Sequence, residues 1–494
     1  MAYETLNDFL SELESRSELL RVSSPVSSRF EIAAITRELT LQSDQAPALI
    51  FDQVDGQSIP VVMNLLGTRS RMLLALRVEQ FSELANQIID LISPEIPDGW
   101  KNALQLIPRV TQLMKLPPVE SQTGRSQQVV RIGKDVNLGN LPIPYSWRGE
   151  AGPVITAGTI HAQDPLSGTR ILTAAPLELT SHSTLALHIH PGQDLYSAVR
   201  SAREAGQQLP IAVSIGVDPA IWFAAHLPLP RGTDPTMLAG FFRNKPLELV
   251  PGRTQEISVP ANAEMIIEGY LDANEPWQSV GPIAAPTGFY SPEETMPTVH
   301  VTALTHCTNP LWHSSLTGPP PQETEWIGRA TEQIFLPLAK IYIRDLVDLH
   351  WAQAGMFRNW LFVSIRKTHP QHARQVMHAI WGLHGLSQAK MIVVVDEDVD
   401  VSNENLIWHL MGTHVNPQSD CVFADLPADA YDHACPRRYV GQKMGFDATR
   451  KLPEEGYTRN WPERVEIPEE TRDLIRKRWQ DFGLPGSPRK GATP

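Results

Sequence analysis

Apolar positions recur three and four apart over Leu6–Leu20 and again over Phe30–Leu41, the spacing of one helical face. Two short apolar runs follow, Pro47–Gln53, which leads into the turn Asp55-Gly56, and Ile59–Leu66. They predict strands. Helical spacing returns over Gly67–Leu76 and Val78–Ile92. Alternation on this scale predicts a small α/β layer. A proline-bounded connection, Pro94–Pro118, carries one more helical stretch at Trp100–Leu116.

From Val129 the texture changes to short strand-like runs at close spacing. The densest part lies between Pro153 and Gly192. Val154–Ala162 is rich in β-branched residues and leads into the turn Asp164–Gly168. Arg170–Leu179, a polar bend at Thr180–Thr184 and Leu185–His190 follow, closed by Pro191-Gly192. Punctuation of this kind predicts three antiparallel strands. Similar runs occupy 129–133, 211–217, 247–252, 256–260, 263–271 and 299–306, with helices only at Leu195–Glu204, Pro219–Ala225 and Pro235–Phe242. A barrel or sandwich is the expected architecture.

Beyond Gly318-Pro-Pro-Pro321 the alternation resumes. Helices are expected at Glu323–Leu336, Pro370–Leu383, Glu404–Met411 and Glu469–Asp481, and strands at Trp360–Ile365, Met391–Val395 and Cys421–Asp425. Continuous apolar strands between helices predict an α/β domain with parallel pairing. The tail Ser487–Pro494 is expected to be disordered.

The chain has 494 residues, more than one core can organise, so two or three domains are expected. Its net charge of -13 excludes a broad nucleic-acid surface. No apolar run reaches the roughly 18 residues of a membrane span, and the acidic N-terminus lacks the basic start of a secretory signal. Cys307, Cys421 and Cys435 form neither a zinc nor a redox spacing. A reduced, cytoplasmic protein is expected.

His182, His188 and His190 make the 153–192 stretch the first place to look for chemistry. They are read either as packed histidines or as a metal site awaiting a third ligand. Glu264 and Glu268 flank an apolar run and read as structural. Asp396-Glu397-Asp398 reads as a solvated strand end or helix cap rather than a cation site.

Ordered segments across nearly the whole length resemble the UbiD family of carboxy-lyases. They include EIAAITREL (31–39), NLLGTRSRMLLAL (64–76), GNLPIP (139–144), AGPVITAG (151–158), IGVDPA (215–220), PANAEMIIEGYL (260–271), GPPP (318–321), KMIVVVDEDVDV (390–401) and KMGFDATRK (443–451). The resemblance implies a mixed α/β (α+β) fold. An N-terminal α/β domain (1–118) would precede a central flavin-reductase-like split β-barrel (119–321). A C-terminal α/β domain (322–494) would be joined by a helix. It further implies homodimers or higher assemblies, or a second UbiD-like subunit as partner. The implied reaction is reversible decarboxylation of aromatic or α,β-unsaturated acids with prenylated FMN, Mn2+ and K+. The modified flavin serves as electron sink, an arginine holds the acid, and carboxylates handle the proton.

Family site residues carry over unevenly. Thr156, Pro228 and Lys390 match flavin-contacting positions, and His190 matches a metal ligand that also serves the cofactor. The metal-binding Asn falls on Ile171, the acid-binding Arg on Pro176, and the metal-binding Glu near Pro235, with Asp234 adjacent. The two catalytic carboxylates fall on Val280 and Ala285. Glu178, Glu275 and Arg170 are close enough in sequence to stand in for one missing group. The loop around Lys443 and Asp447-Ala-Thr449 resembles a C-terminal docking loop. Two readings follow: a carboxy-lyase with altered chemistry, or a non-catalytic member acting as partner subunit or flavin binder.

Overall fold

The computed structural model of the protein describes residues 3–92, 116–229, 233–463, 465 and 467–485. All but the last residue of the expected helix at 100–116, and the tail 487–494, lie outside the described residues.

The N-terminal layer contains α1 (Leu6–Ser15), β1 (Leu19–Val22), α2 (Glu31–Gln42), β2 (Ala48–Phe51), β3 (Val61–Met63), α3 (Arg69–Leu76) and α4 (Phe81–Ile92). The Leu6–Leu20 run divides in two. Thr5 and Asp8 form a capping box that starts α1. Ser17 then takes a left-handed conformation (φ 59°), and the chain turns into β1, which runs parallel to β2. β2 pairs antiparallel with β3.

The central region begins with β4 (Val119–Glu120) and β5 (Val129–Ile132). Five strands, not three, occupy 154–187: β6 (Val154–Ile155), β7 (Thr159–Gln163), β8 (Arg170–Ala174), β9 (Leu177–Leu179) and β10 (Thr184–Leu187). One break falls around Gly158, where a Cβ would lie 2.7 Å from Val213 Cγ1. The other falls before Pro176, which has no N–H to give a ladder. Then come α5 (Asp194–Ala205), β11 (Leu209–Ile215), α6 (Pro219–Ala224), α7 (Pro235–Arg243), β12 (Glu248–Pro251), β13 (Ser258–Pro260), β14 (Met265–Leu271), β15 (Gln278–Val280), β16 (Glu294–Met296), β17 (Thr298–His306) and β18 (Trp312–His313). The strands β6-β9-β10-β17-β14-β11-β7-β8, with β5 beside β17, form one curled antiparallel sheet, the split-barrel arrangement. β18 lies outside that sheet and pairs parallel with β3, Trp312 against Val61, so the N-terminal sheet is completed from 251 residues downstream.

α8 (Thr324–Tyr342) links the central region to a third sheet. It is longer than expected and continues through Pro337. The C-terminal layer holds β19 (Leu346–Trp351), β20 (Trp360–Ile365), α9 (His372–Gly382), β21 (Met391–Asp396), α10 (Glu404–His414), α11 (Pro417–Asp420), β22 (Cys421–Pro427), β23 (Val440–Asp447) and α12 (Glu469–Lys477). Its order is β19-β20-β21-β23-β22. The β20–β21 and β21–β23 pairs are parallel as expected, whereas the edge strands β19 and β22 run antiparallel. Among the described residues no helix is long and apolar enough to cross a membrane.

Candidate functional site

A cavity of about 1080 Å³ lies where the curled sheet, α8 and the C-terminal layer meet. Its barrel wall carries Thr156, Ile171, Pro176, His188 and His190, and Pro228 follows α6. Its C-terminal wall carries Arg358, Asp429, Tyr431, Tyr439 and Lys443.

His188 and His190 lie just past the end of β10, where that strand leaves the ladder. His190 Nδ1 is 3.1 Å from the Tyr439 hydroxyl and 3.2 Å from Arg438 Nη2. Burial, with Arg438 adding to it, pushes the imidazole down to about 4. Arg438 also pairs with Glu294 of β16, a buried carboxylate, and thereby joins the two domains. His188 Nε2 is 3.1 Å from Glu178 Oε2, which also accepts the Gly281 N–H at 2.9 Å. His182 is exposed and does not join them.

The far wall is charged. Arg358 Nη2 donates to Asp429 at 2.7 Å, and the guanidinium lies 5.3 Å over the Tyr431 ring. Burial pushes Asp429 up, but Arg358 outweighs it and holds the carboxyl below its ordinary range. Burial lowers the Lys443 ammonium and raises the Tyr439 phenol to about 12. Lys443 donates to the Ser387 carbonyl.

The other family-matched residues fall in different places. Thr156 Oγ1 donates to the Ser315 carbonyl at 2.6 Å and accepts the Ser315 N–H at 3.0 Å. Lys390 is absent from the cavity wall and pairs with Asp432 at 2.8 Å; its cross-strand neighbour Lys443 faces the cavity instead. Ile171 and Pro176 line the cavity, as do Ala284 and Pro286, whereas Val280 and the buried Ala285 are not among its lining residues. Asp234 caps α7 and pairs with Arg170 at 3.6 Å, so it is committed to structure. Glu275 binds His300 at 2.5 Å on the half-exposed outer side.

The acidic features read as structural behave so. Glu264 is fully buried and bound by Arg125 at 2.6 Å. Glu268 accepts the N–H groups of Arg253, Thr254 and Gln255. Asp396 and Asp398 are paired with Arg450, and Glu397 with Arg366. The Cys307 thiol is pushed up to about 12 by burial and by Glu264, which removes it as a nucleophile.

Sequence reasoning missed Arg358, Asp429, Tyr431 and Tyr439. For the last three the signal was the dense Asp/Tyr/His/Arg composition of the aperiodic segment 428–439, an irregular segment where binding groups concentrate; Arg358 carried no such signal.

Residues 10–91, 118–320 and 325–448 match, in order, the N-terminal, Rift-related and C-terminal domains of 3-octaprenyl-4-hydroxybenzoate carboxy-lyase, UbiD. The chain belongs to the UbiD family. An uncharacterised protein of Aquifex aeolicus is 36% identical over 482 residues, spanning 98% of this chain and 99% of that one. One of Archaeoglobus fulgidus is 35% identical over 486 residues, 98% and 99% of the two chains. Among solved structures, the UbiD-class enzyme HmfF of Pelotomaculum thermopropionicum, an evolved dimeric form in complex with prFMN, superposes with a TM-score of 0.76. It is 27% identical and covers 95% of this chain and 98% of that one. The vanillic acid decarboxylase of Sedimentibacter hydroxybenzoicus in closed form has a TM-score of 0.86 at 22% identity, with 98% and 100% covered; it shows the fold alone.

The cavity of this UbiD-family chain accommodates a flavin by size and by the cations Arg358 and Lys443 for a phosphate. A divalent metal is a different matter. Among the described residues no three His, Cys, Asp or Glu side chains gather to hold one. A guanidinium already sits at the ring nitrogen of His190, where it repels a cation.

Proposed function

We propose that the protein is a flavin-dependent carboxy-lyase acting on a small unsaturated or aromatic carboxylic acid. The observation that carries this reading is the large cavity at the barrel–C-terminal seam, which retains Thr156, His190 and Pro228 on its wall. Prenylated flavin, when bound, supplies the electron sink for the carbon that loses CO2. The chain's own residues do the rest. Thr156 shapes the ring pocket through its bonds to Ser315. Arg358 and Lys443 offer cationic donors to an oxyanion. The apolar side chains of Ile171 and Pro176 exclude water from the barrel wall. No divalent metal enters the reading.

The second reading, a non-catalytic flavin-binding partner subunit, is favoured by Ile171 and Pro176 facing the same cavity in place of polar family residues. The experiment is co-production with a prenyl-FMN synthase, followed by absorbance, mass spectrometry and an acid panel. Bound prenylated flavin with CO2 release supports the enzyme. Bound flavin without turnover, together with a co-purifying second UbiD-like chain, supports the partner subunit. A colourless, folded protein defeats both flavin readings.

A further inference from the structure

The seam at His190 is built against a divalent cation. Such an ion needs several oxygen or imidazole lone pairs converging on one point. Of the three positions matched to metal ligands, Ile171 has no lone pair to give. Pro235 opens α7, and Asp234 beside it caps that helix, accepting the Thr236 N–H at 2.9 Å and the Thr236 hydroxyl at 2.6 Å. The other oxygen of Asp234 faces Arg170 at 3.6 Å. His190 is left. A guanidinium carries donors only, so Arg438 Nη2, 3.2 Å from His190 Nδ1, takes up the ring lone pair that a metal would use.

Local geometry fixes Arg438 there. The turn 437–440 is closed by the Val440 N–H, which donates to the Arg437 carbonyl at 3.2 Å, and within it Tyr439 is left-handed (φ 59°). The turn brings Arg438 and Tyr439 together onto His190 just before β23 begins. The Arg438 guanidinium lies 4.8 Å over the Tyr439 ring, and the Tyr439 hydroxyl is 3.1 Å from the same Nδ1. On the barrel side Arg438 pairs with Glu294, the first residue of β16, whose carboxylate is 4.0 Å from His190 Nδ1 and whose side chain is 3% exposed. Nη2 makes both the ion-pair and the imidazole contact. Among the described residues Nε and Nη1 of Arg438 carry no hydrogen bond, and 33% of the side chain is exposed, so a ligand can reach them. Arg358 with Asp429, and Lys443, complete this side of the cavity. Arg438, Arg358 and Lys443 thus stand against Glu294 and Asp429, and the wall keeps a positive charge in excess.

We propose that the Arg438–Glu294 ion pair takes the place of the divalent metal in this chain, and that Arg438 supplies the positive charge to the phosphate of a flavin in the cavity; the role rests on the flavin-binding reading above. A guanidinium meets a phosphate with directional, charge-assisted N–H donors where a metal would meet it by coordination. Nε and Nη1 are the donors that Arg438 has left for it. Glu294 engages Nη2 and holds the group in place, and its own charge is matched there, so it does not oppose the incoming anion. A side-chain cation cannot dissociate as a bound ion can. Flavin binding is therefore independent of divalent metal.

The test uses the full-length protein stripped with EDTA, with Mn2+ and FMN as probes. Mn2+ added in equal amount to the apoprotein is expected to keep its free-ion electron paramagnetic resonance spectrum. FMN, followed by quenching of its fluorescence, should bind with the same Kd, within about twofold, in EDTA and in Mn2+. Arg438→Ala should raise that Kd about tenfold or more, with Arg438→Lys in between. Arg438→Gln combined with Glu294→Gln removes both charges, leaves no unpaired buried carboxylate, and should lose FMN affinity to the same extent. A wild type that takes up Mn2+ overturns the proposal. So does FMN bound about tenfold tighter in Mn2+ than in EDTA, a result that keeps the flavin reading. A folded double variant with wild-type FMN affinity also overturns it. A wild type that binds FMN in neither condition removes the phosphate role together with the flavin reading.

Discussion

Replacing Glu323 by Gln is expected to remove a pH dependence from the stability of this protein. Glu323 stands at the root of α8 and is 3% exposed. Its carboxylate accepts the Leu66 N–H at 2.5 Å and so ties the N-terminal layer to the linking helix. Gln322 and Thr324 on either side of it line the cavity. Burial pushes the carboxyl from its usual 4.5 up to about 7, against the opposing pull of its hydrogen bonds and of Arg71. The folded protein thus keeps a proton over a range in which the unfolded chain has lost it. That stabilisation is fully present below about 4.5 and is lost as pH rises through about 7. At about 1.4 kcal/mol for each pH unit of displacement, the loss is on the order of 3 kcal/mol. Urea unfolding of wild type and Glu323→Gln at pH 5, 6.5 and 8 reads it directly. The wild type should lose about 3 kcal/mol relative to the variant across that range. Parallel profiles would show that Glu323 ionises freely in the fold and would refute the reasoning.

Three other outcomes are expected. Glu268→Gln leaves at least one of three part-buried backbone donors, those of Arg253, Thr254 and Gln255, without its acceptor on the buried side chain; urea unfolding should show a loss of about 1–2 kcal/mol, and an unchanged midpoint would contradict the accounting. The His190 ring, pushed down to about 4 by burial and Arg438, should stay neutral from pH 8 to 5; an NMR titration with a midpoint near 6.5 would show that the seam is open to water. Arg358→Ala should weaken FMN or acid binding about tenfold or more, with Arg358→Lys intermediate, because one charge-assisted donor pair is lost; an unchanged Kd would remove Arg358 from the site.

Much of the fold was legible because its causes are local. The apolar period of Phe30–Leu41 became α2 with only a one-residue shift. The β-branched runs at 211–217 and 263–271 became β11 and β14, and the continuous run MIVVV became the buried central strand β21. Capping residues and a first-turn proline started helices where they stand, as Asp218-Pro219 begins α6. Strands without apolar alternation were missed. β23 carries Gly441, Gln442 and Lys443 and is held by partners on both sides rather than by its own pattern. β18 has two residues and exists only because β3 offers it an edge.

The candidate site divides along the same line. Residue types within one segment could be matched to a family, and the expectation that four polar family positions fall on Ile171, Pro176, Val280 and Ala285 was drawn from order alone. That His188 stands across from Pro176 and beside Glu178 depends on the register of β9 with β10. That Arg358, Tyr431 and Tyr439 face His190 depends on α8 carrying the C-terminal layer back over the barrel mouth. Neither is written in spacing. Hydrogen-bond register and domain packing join residues as much as 284 positions apart, as Arg37 and Pro321 are, and such contacts form only after long loops have closed, so their free energy belongs to the folded whole rather than to any stretch of sequence.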